Sequence, residues 1–373
     1  MKQGTHLRNT SINKRILKKQ EYKKRKTSEW YNLRPILGYA NWAIFFLLLG
    51  GREVGKSYSV TNFFTDQYKE KGIPFTWLRL TETAARKLLM NNAEKLIDPD
   101  LRRKYNLDLV TSGNNVYEVT KRSEPDEDGK TKILEKKLMA RVYAISTFYN
   151  DKGSIFDKDF LNDPNMRYNI AIDEFQREEG EKNTFDIVYS LVNQLENLVR
   201  STKERVKIFF LGNTLEESSD ILCAFNFIPE TFGIFKLKKK RAVIHNIAPT
   251  EAYKKRRSGT IADILMPTAS TFTNKIDSDT TLICKKRLIN PEYIIKFRKD
   301  KNSWFTVWDG NIIKKYNGEK KKSVAMRPYL DEQFVVDYQK QIMILFDTRS
   351  FMFTNLITFK QFQKELSLLK PRG

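Results

Sequence analysis

Residues 50–57 read Gly-Gly-Arg-Glu-Val-Gly-Lys-Ser and decide which fold the rest of the chain is expected to have. They match the pattern G-x-x-x-x-G-K-[ST] and stand between an apolar run, Ala43–Leu49, and a helical stretch, Lys56–Lys69. Glycines at such a strand-to-helix turn let backbone N–H groups close around phosphate oxygens, and the helix N-terminus adds positive potential. The sequence therefore predicts a nucleotide-binding loop made of Gly50, Gly51, Arg52, Glu53, Val54, Gly55, Lys56 and Ser57.

The last two residues of this loop carry its expected chemical contacts. In phosphate-binding loops the lysine reaches the β- and γ-phosphates, and the hydroxyl residue after it holds Mg²⁺. Lys56 and Ser57 are expected to take these roles with ATP. The alternative is a chance glycine-rich turn, which the pattern alone permits. The apolar strand before the loop and the helix after it favour nucleotide binding.

A second motif, Tyr168–Glu174 (YNIAIDE), is a short apolar strand that ends in two acids. Asp173 is expected to hold the metal ion, directly or through water, and Glu174 to orient and deprotonate the attacking water. The alternative is an Asp–Glu pair that simply begins a helix, where acids are favoured. A carboxylate beside the metal residue favours hydrolysis of a nucleoside triphosphate over phosphate transfer to a small molecule.

A third apolar strand, Val206–Leu211, is followed by Gly-Asn-Thr. Asn213 or Thr214 at its tip is expected to sense the γ-phosphate or to hold the lytic water. The alternative is an ordinary asparagine at the end of a strand.

Arginines near these motifs are candidates for a transition-state contact. Arg200 ends the helix that precedes the third strand, where it either caps that helix or reaches a neighbouring subunit as an arginine finger. Arg79 and Arg52 are weaker candidates for the same contact.

The order of apolar strands and helices predicts an α/β fold with a mostly parallel sheet, because strands buried on both faces read as continuous apolar runs. A polar turn at 123–129 predicts a hairpin inserted over residues 115–145.

After about Phe235 the sequence no longer alternates between apolar strands and helices. Strands at 280–288, 293–299, 303–308 and 311–316 predict an antiparallel meander, with a turn at Asp309–Gly310. Helical stretches at 331–345 and 359–369 follow.

The composition narrows the classes of function. The chain has 373 residues and a net charge of +22, which predicts a polyanionic partner, nucleic acid first and an anionic membrane surface second. Two cysteines, Cys223 and Cys284, exclude a disulfide scaffold and a cysteine-rich zinc module, and two histidines make a histidine metal site unexpected. The apolar residues 36–49 are too few for a membrane span of about 20 residues.

Two basic segments are candidates for contact with nucleic acid. The first 34 residues hold eleven Lys or Arg and two Glu, and form either a solvated tail or a nucleic-acid arm. Residues 236–257 hold nine Lys or Arg and one Glu, and form either a linker or a nucleic-acid contact. The expected contact residues in this second segment are Lys238, Lys239, Lys240, Lys254, Lys255, Arg256 and Arg257.

The acids of the C-terminal part are scattered rather than grouped. A two-metal nuclease needs several carboxylates that converge on its metal ions. No motif in the sequence groups the acids in this way. We therefore expect them to be solvated acids or turn formers, and we do not expect nuclease activity. The acids in question are Asp277, Asp279, Asp309, Asp331, Asp337 and Asp347.

Together the motifs resemble a known family. GGREVGKS after FFLLL, then WLRLTE, YNIAIDEF and VKIFFLGNT, follow the order seen in DNA-packaging (encapsidation) ATPases of small podophages with protein-primed linear genomes, which are terminase-large-subunit-like. The resemblance implies an ASCE-type P-loop ATPase domain at 36–235 and a smaller α+β, RNase H-like domain at 266–373. The latter looks like a vestigial nuclease used for docking and nucleic-acid binding. A basic arm at 1–35 and a basic linker at 236–265 complete the expected organisation.

The resemblance also implies a function and partners. It implies a motor that hydrolyses ATP with Mg²⁺ and moves double-stranded DNA into a procapsid, as a ring, usually a pentamer, docked on the portal. Its place of work would be the host cytoplasm, transiently on the procapsid, with no membrane involved. Arg200 matches the position of the family's arginine that acts across subunits. The resemblance leaves open whether a packaging RNA takes part. The alternatives are a helicase, a plasmid-mobilisation motor, or a nucleotide-gated scaffold that binds nucleic acid without turnover.

Overall fold

The structure is a computed structural model of the chain. It divides into two compact units, Met1–Leu215 with Pro229–Lys275, and Glu216–Ile228 with Ile276–Gly373. No helix among the described residues is long and apolar enough to cross a membrane. The structure describes residues 30–39, 41–128, 130–147, 167–175, 187–199, 205–213, 220–229, 231–265, 280–284, 286–297, 300–318 and 341–369.

The first unit is built on a nine-stranded sheet. Its strands are β1 (Phe45–Leu49), β2 (Phe75–Arg79), β3 (Leu109–Ser112), β4 (Asn115–Arg122), β5 (Ile133–Ala144), β6 (Tyr168–Asp173), β7 (Val206–Gly212), β8 (Gly233–Leu237) and β9 (Ala242–Asn246). Across the sheet they lie in the order β3-β4-β5-β2-β6-β7-β1-β9-β8. The six adjacent strands β5, β2, β6, β7, β1 and β9 run parallel to one another, and β3, β4 and β8 are antiparallel to their neighbours.

Helices alternate with the parallel strands along the chain. The helix after the phosphate loop begins at Lys56, because Gly55 adopts a left-handed φ of 93°, and it ends at Gly72, whose φ is 70°. The helices of this unit are α1 (Arg34–Leu37), α2 (Lys56–Lys71), α3 (Glu82–Ala93), α4 (Pro99–Tyr105), α5 (Ile187–Val199), α7 (Glu251–Arg257) and α8 (Ile261–Leu265). The helix between α5 and α7 in the chain, α6 (Asp220–Ala224), belongs to the second unit.

An aromatic cluster attaches α2 to the sheet. Phe64 of α2 lies 5.4 Å from Phe209 of β7 and 5.2 Å from Phe75 of β2, measured between ring centroids. Phe46 of β1 stacks on Phe209 at 4.9 Å. All four rings are buried, and burial of such side chains supplies about 1.5–3 kcal/mol each. This packing places the helix that follows the phosphate loop firmly against β1 and β7.

The second unit has its own sheet and core. Three strands form an antiparallel meander, and the fourth pairs parallel with the third. Residues 309–311 connect Trp308 with its partner Ile312, and Asp309 and Gly310 both have positive φ, so the hairpin turn lies where the sequence predicted it. Phe305, Phe353 and Phe362 fill the core. The elements are β10 (Pro291–Lys296), β11 (Trp304–Trp308), β12 (Ile312–Lys315), β13 (Met352–Phe353) and α9 (Leu356–Leu369).

The predicted fold class is confirmed: a large, mostly parallel α/β sheet is followed by a smaller α+β unit. The inserted hairpin is also present as β4 and β5, and β5 continues into the sheet as the parallel neighbour of β2. The predicted strand at 280–288 is different, because Thr280–Leu282 form a single 3₁₀ turn and Ile283 makes an isolated bridge to Phe353.

The segment predicted as a basic linker, 236–265, is instead part of the first unit. β9 pairs parallel with β1 over its full length, from Phe45↔Ala242 to Leu49↔Asn246, and its apolar residues are buried. The sequence analysis did not predict this short strand, because the charged residues of the neighbouring turn and helix dominate the composition of the segment. Most of the predicted arm, residues 1–29, lies outside the described residues.

Candidate nucleotide-binding site

Three strand ends meet at one edge of the large sheet. β7 lies between β1 and β6 and runs parallel to both, so the residues that follow the three strands come together. A cleft of about 400 Å³ opens between them. The sequence predicted this convergence of the phosphate loop with Asp173, Glu174 and Asn213. The cleft is lined by Arg52, Glu53, Val54, Gly55, Lys56, Ser57, Tyr58, Asp173, Glu174, Leu211 and Asn213.

Lys56 lies inside the loop that contains it. Its Nζ donates hydrogen bonds to the carbonyl oxygens of Gly50 at 2.7 Å and Gly51 at 2.8 Å. Burial lowers the pKa of this ammonium group to about 8, although Asp173 and Glu174 oppose the shift. The group therefore remains mostly protonated at pH 7, and the loop holds a positive charge at the floor of the cleft.

The next three carbonyls of the loop are bonded from outside the motif. Tyr253 Oη donates to the carbonyl of Arg52 at 3.0 Å, and Arg256 Nη2 donates to that of Glu53 at 2.6 Å. The backbone N–H of Tyr31 donates to the carbonyl of Val54 at 2.8 Å. Together with the two bonds from Lys56, the carbonyls of residues 50–54 all accept hydrogen bonds from the protein. The shape of the loop thus depends on α7 and on the segment before β1.

α7 also neutralises the acid of the loop. Arg257 Nη1 lies 2.9 Å from Glu53 Oε2. Arg256 additionally stacks its guanidinium over the Trp30 ring, 3.9 Å from the centroid. A Cβ at Gly55 would come within 3.2 Å of that ring, and φ there is 93°, so both space and backbone conformation require glycine at this position.

The predicted nucleic-acid contacts do not form one surface. Lys238–Lys240 form the turn before β9, whereas α7 follows β9 on the side of the phosphate loop. β9 itself separates the two groups, so they lie at opposite edges of the sheet. Arg256 and Arg257 have partners in the loop, so both residues support the nucleotide site, and their contact with nucleic acid stays a prediction.

Ser57 and Asp173 place hard oxygen atoms side by side. Ser57 Oγ lies 3.5 Å from each carboxylate oxygen of Asp173, and Asp173 is only 5% exposed. Burial raises the pKa of Asp173, while the nearby Arg79 acts to lower it. A hydroxyl and a carboxylate at this separation are ligands that suit the octahedral shell of Mg²⁺. The residues present therefore fit the predicted metal site.

Arg79 links the two acids of the second motif. It ends β2, whose Leu78 pairs with Ile172 of β6, so the next residues along both strands, Arg79 and Asp173, lie side by side. Arg79 Nη2 is 3.0 Å from Asp173 Oδ2, and Nη1 pairs with Glu174. The sequence suggested Arg79 as a weak candidate for a finger. The structure instead engages it with acids of its own chain.

Glu174 is the more exposed of the two acids. Its side chain is 60% exposed and its φ is 52°, a left-handed conformation that turns the chain out of β6. Its backbone N–H donates to the carbonyl of Leu211 at 2.9 Å, which fixes the turn against β7. Glu174 thus borders the cleft together with Asn213. The other two predicted residues, Arg200 and Thr214, lie outside the described residues.

Comparison with solved structures identifies the fold. The chain is similar to the Phi-28 gp11 DNA packaging motor, with a TM-score of 0.57, 15% sequence identity, and 93% of this chain and 100% of that chain covered. The fold is that of phage DNA-packaging motors. The bacteriophage Phi-29 genome packaging motor assembly gives a TM-score of 0.54 at 19% identity, with 91% and 100% of the two chains covered. No family model matches the chain, and no curated protein matches it.

Support of the phosphate loop by α7 can be tested on two neighbouring residues. Arg256→Ala removes a charged donor from the Glu53 carbonyl, worth about 1.5–3 kcal/mol, and should weaken binding of a fluorescent ATP analogue by about tenfold or more. Lys255→Ala removes the same charge from the same helix and should leave the dissociation constant unchanged. Equal affinity of the two variants, measured by titration without DNA, would contradict the role given to α7.

Proposed function

We propose that the chain is an ATPase that drives double-stranded DNA into a viral procapsid. The observation that carries the proposal is the convergence of the Lys56 ammonium, the Ser57–Asp173 pair and the exposed Glu174 in one cleft. The fold shared with phage packaging motors supports the same conclusion.

The residues of the cleft have separate tasks in this proposal. The phosphate loop binds the triphosphate, and Lys56 neutralises charge on its β- and γ-phosphates. Ser57 and Asp173 would hold Mg²⁺, which supplies further charge neutralisation at the phosphates when bound. Glu174 accepts the proton of the attacking water, and Asn213 helps to orient that water. Arg79 acts as a positioning residue, because its two pairs set where both carboxylates lie.

Hydrolysis is proposed to need a second subunit. Arg200 follows α5, and we assign it to the active site of the neighbouring subunit in a ring of five copies, as the resemblance implies. An arginine that reaches the γ-phosphate stabilises charge that grows in the transition state. The ring would dock on the portal and surround the DNA, with phosphate contacts that are independent of sequence.

The smaller unit is proposed to serve docking and nucleic-acid binding rather than cleavage. Of its six scattered acids, the structure describes Asp309 and Asp347. Asp309 lies in the turn between β11 and β12 with a φ of 45°, and it accepts hydrogen bonds from the backbone N–H groups of Ile289 and Asn290, which connect this turn to the residues before β10. This bonding supports the turn-former interpretation for Asp309.

The decisive experiment is ATP-dependent packaging into purified procapsids, scored as DNA protected from nuclease. Protected DNA that requires both the protein and ATP supports the proposal. ATP hydrolysis stimulated by DNA but without packaging, together with strand separation, would instead indicate a helicase. Binding of ATP and DNA without any turnover would indicate a nucleotide-gated scaffold.

Binding and chemistry should be separable within the cleft. Lys56→Ala should weaken ATP binding and abolish hydrolysis, because it removes the charge that contacts the phosphates. Glu174→Gln should keep ATP binding but lose turnover by at least about 10²-fold, because the amide cannot accept the proton of water. Phosphate release and nucleotide titration measure the two effects. Wild-type hydrolysis by Glu174→Gln would show that another acid is the base.

Action of Arg200 across the subunit boundary predicts complementation. Arg200→Ala and Lys56→Ala should each be nearly inactive alone, since such arginines contribute about 10³–10⁵ to the rate in other systems. In mixed rings, a site with intact Lys56 can receive the intact Arg200 of a Lys56→Ala neighbour, so hydrolysis should return in part. If co-assembly is confirmed and no activity returns at any mixing ratio, Arg200 acts only within its own subunit, as a helix cap.

A further inference from the structure

The edge of the large sheet opposite the nucleotide cleft is basic. β6, β7 and β9 are parallel strands, and each is directly preceded by an arginine: Arg167, Arg205 and Arg241. Lysines lie beside them at the end of α2, at the second position of β7 and in the exposed turn before β9. We call the following six residues the basic edge: Lys71, Arg167, Lys207, Lys238, Lys239 and Lys240.

The strand register places the beginnings of the strands at this edge along one line. Tyr168 of β6 pairs with Val206 of β7, Ile208 of β7 pairs with Phe45 of β1, and Phe45 pairs with Ala242 of β9. The beginnings of four adjacent strands therefore lie together. At about 4.8 Å between neighbouring strands, the line is about 14 Å long.

Charges of one sign are crowded at this edge. Lys207 is half-buried, and burial lowers its pKa, with the nearby Lys71 and Arg167 lowering it further. Lys238, Lys239 and Lys240 are exposed in consecutive positions. Within the described part of the chain, no ion pair involves Lys71, Lys207 or these three lysines. Such crowding raises the free energy of the folded protein unless an external anion offsets the repulsion.

We propose that the basic edge binds the phosphate backbone of double-stranded DNA. The inference rests on the proposed function, and it names a surface for the DNA that function requires. Duplex DNA carries one negative charge per about 1.7 Å of its axis, so a line of about 14 Å can face several phosphates at once. Lys207 lies on β7, and Lys238–Lys240 form the turn that leads directly into β9, so the sheet positions these four lysines while their flexible side chains adapt to phosphates of any sequence.

This surface overlaps only in part with the two basic groups that composition suggested. Of those groups, only the turn Lys238–Lys240 lies on the basic edge, and α7 lies on the other side of the sheet. β1, with five residues at about 3.3 Å each, separates the two edges by about 16 Å. Substitutions on the basic edge can therefore affect DNA without touching the phosphate loop.

The experiment compares two variants of the full chain with equal net charge. The first carries Lys207→Gln, Lys238→Gln, Lys239→Gln and Lys240→Gln on the basic edge. The control carries Lys87→Gln, Lys95→Gln, Lys121→Gln and Lys132→Gln, all at exposed positions outside the basic edge. A third variant changes only Lys238, Lys239 and Lys240 to Gln, because substitution of the half-buried Lys207 carries a risk to folding. Binding of a duplex DNA of random sequence is measured over a range of salt concentrations.

The slope of log K against log salt should fall by about three to four units in the four-residue variant and by about three in the turn variant. It should stay at the wild-type value in the control, and all three should bind the ATP analogue like the wild type. An unchanged slope in both basic-edge variants, or an equal fall in the control, overturns the inference. The proposed function is tested separately, by packaging with the wild-type protein. If the wild type packages DNA and both basic-edge variants still bind DNA normally, only the assignment of this surface is refuted.

Discussion

The parallel pairing of β7 with β1 on one side and β6 on the other is the constraint on which the rest of the structure depends. It brings the ends of three strands, distant in sequence, to one point. The Lys56 ammonium and the Asp173 carboxylate can then share a cleft, and each favours the charged form of the other against the cost of burial. The packing of Phe64 against Phe209 holds α2, which carries Ser57 in its first turn, against β7.

The phosphate loop is a local motif with non-local support. Its first two carbonyls are bonded by its own Lys56, and the next three by Tyr253, Arg256 and Tyr31, which lie on opposite sides of it in sequence. A loop with a left-handed glycine and a buried ammonium is costly to order by itself, because it fixes backbone and desolvates charge. Contacts from α7 and the segment before β1 offset that cost.

The two edges of the sheet have different electrostatic character. At the cleft, two basic side chains are paired with acids, Arg79 with Asp173 and Arg257 with Glu53. At the basic edge, lysines gather without described acidic partners. Under the proposed function, this separation lets nucleotide and DNA bind at opposite ends of the same strands, which connect the two sites.

The sequence by itself determined the fold class, the phosphate loop and the acids Asp173 and Glu174, because these depend on patterns within about ten residues and on the rule that parallel strands end at one edge. Only the tertiary structure decided that Arg79 lies beside Asp173, since that depends on the register between β2 and β6. It likewise decided that the segment 236–265 is split by β9 into a basic turn and a loop-supporting helix. Composition records how much charge a segment carries, whereas the sheet determines on which side each charge lies.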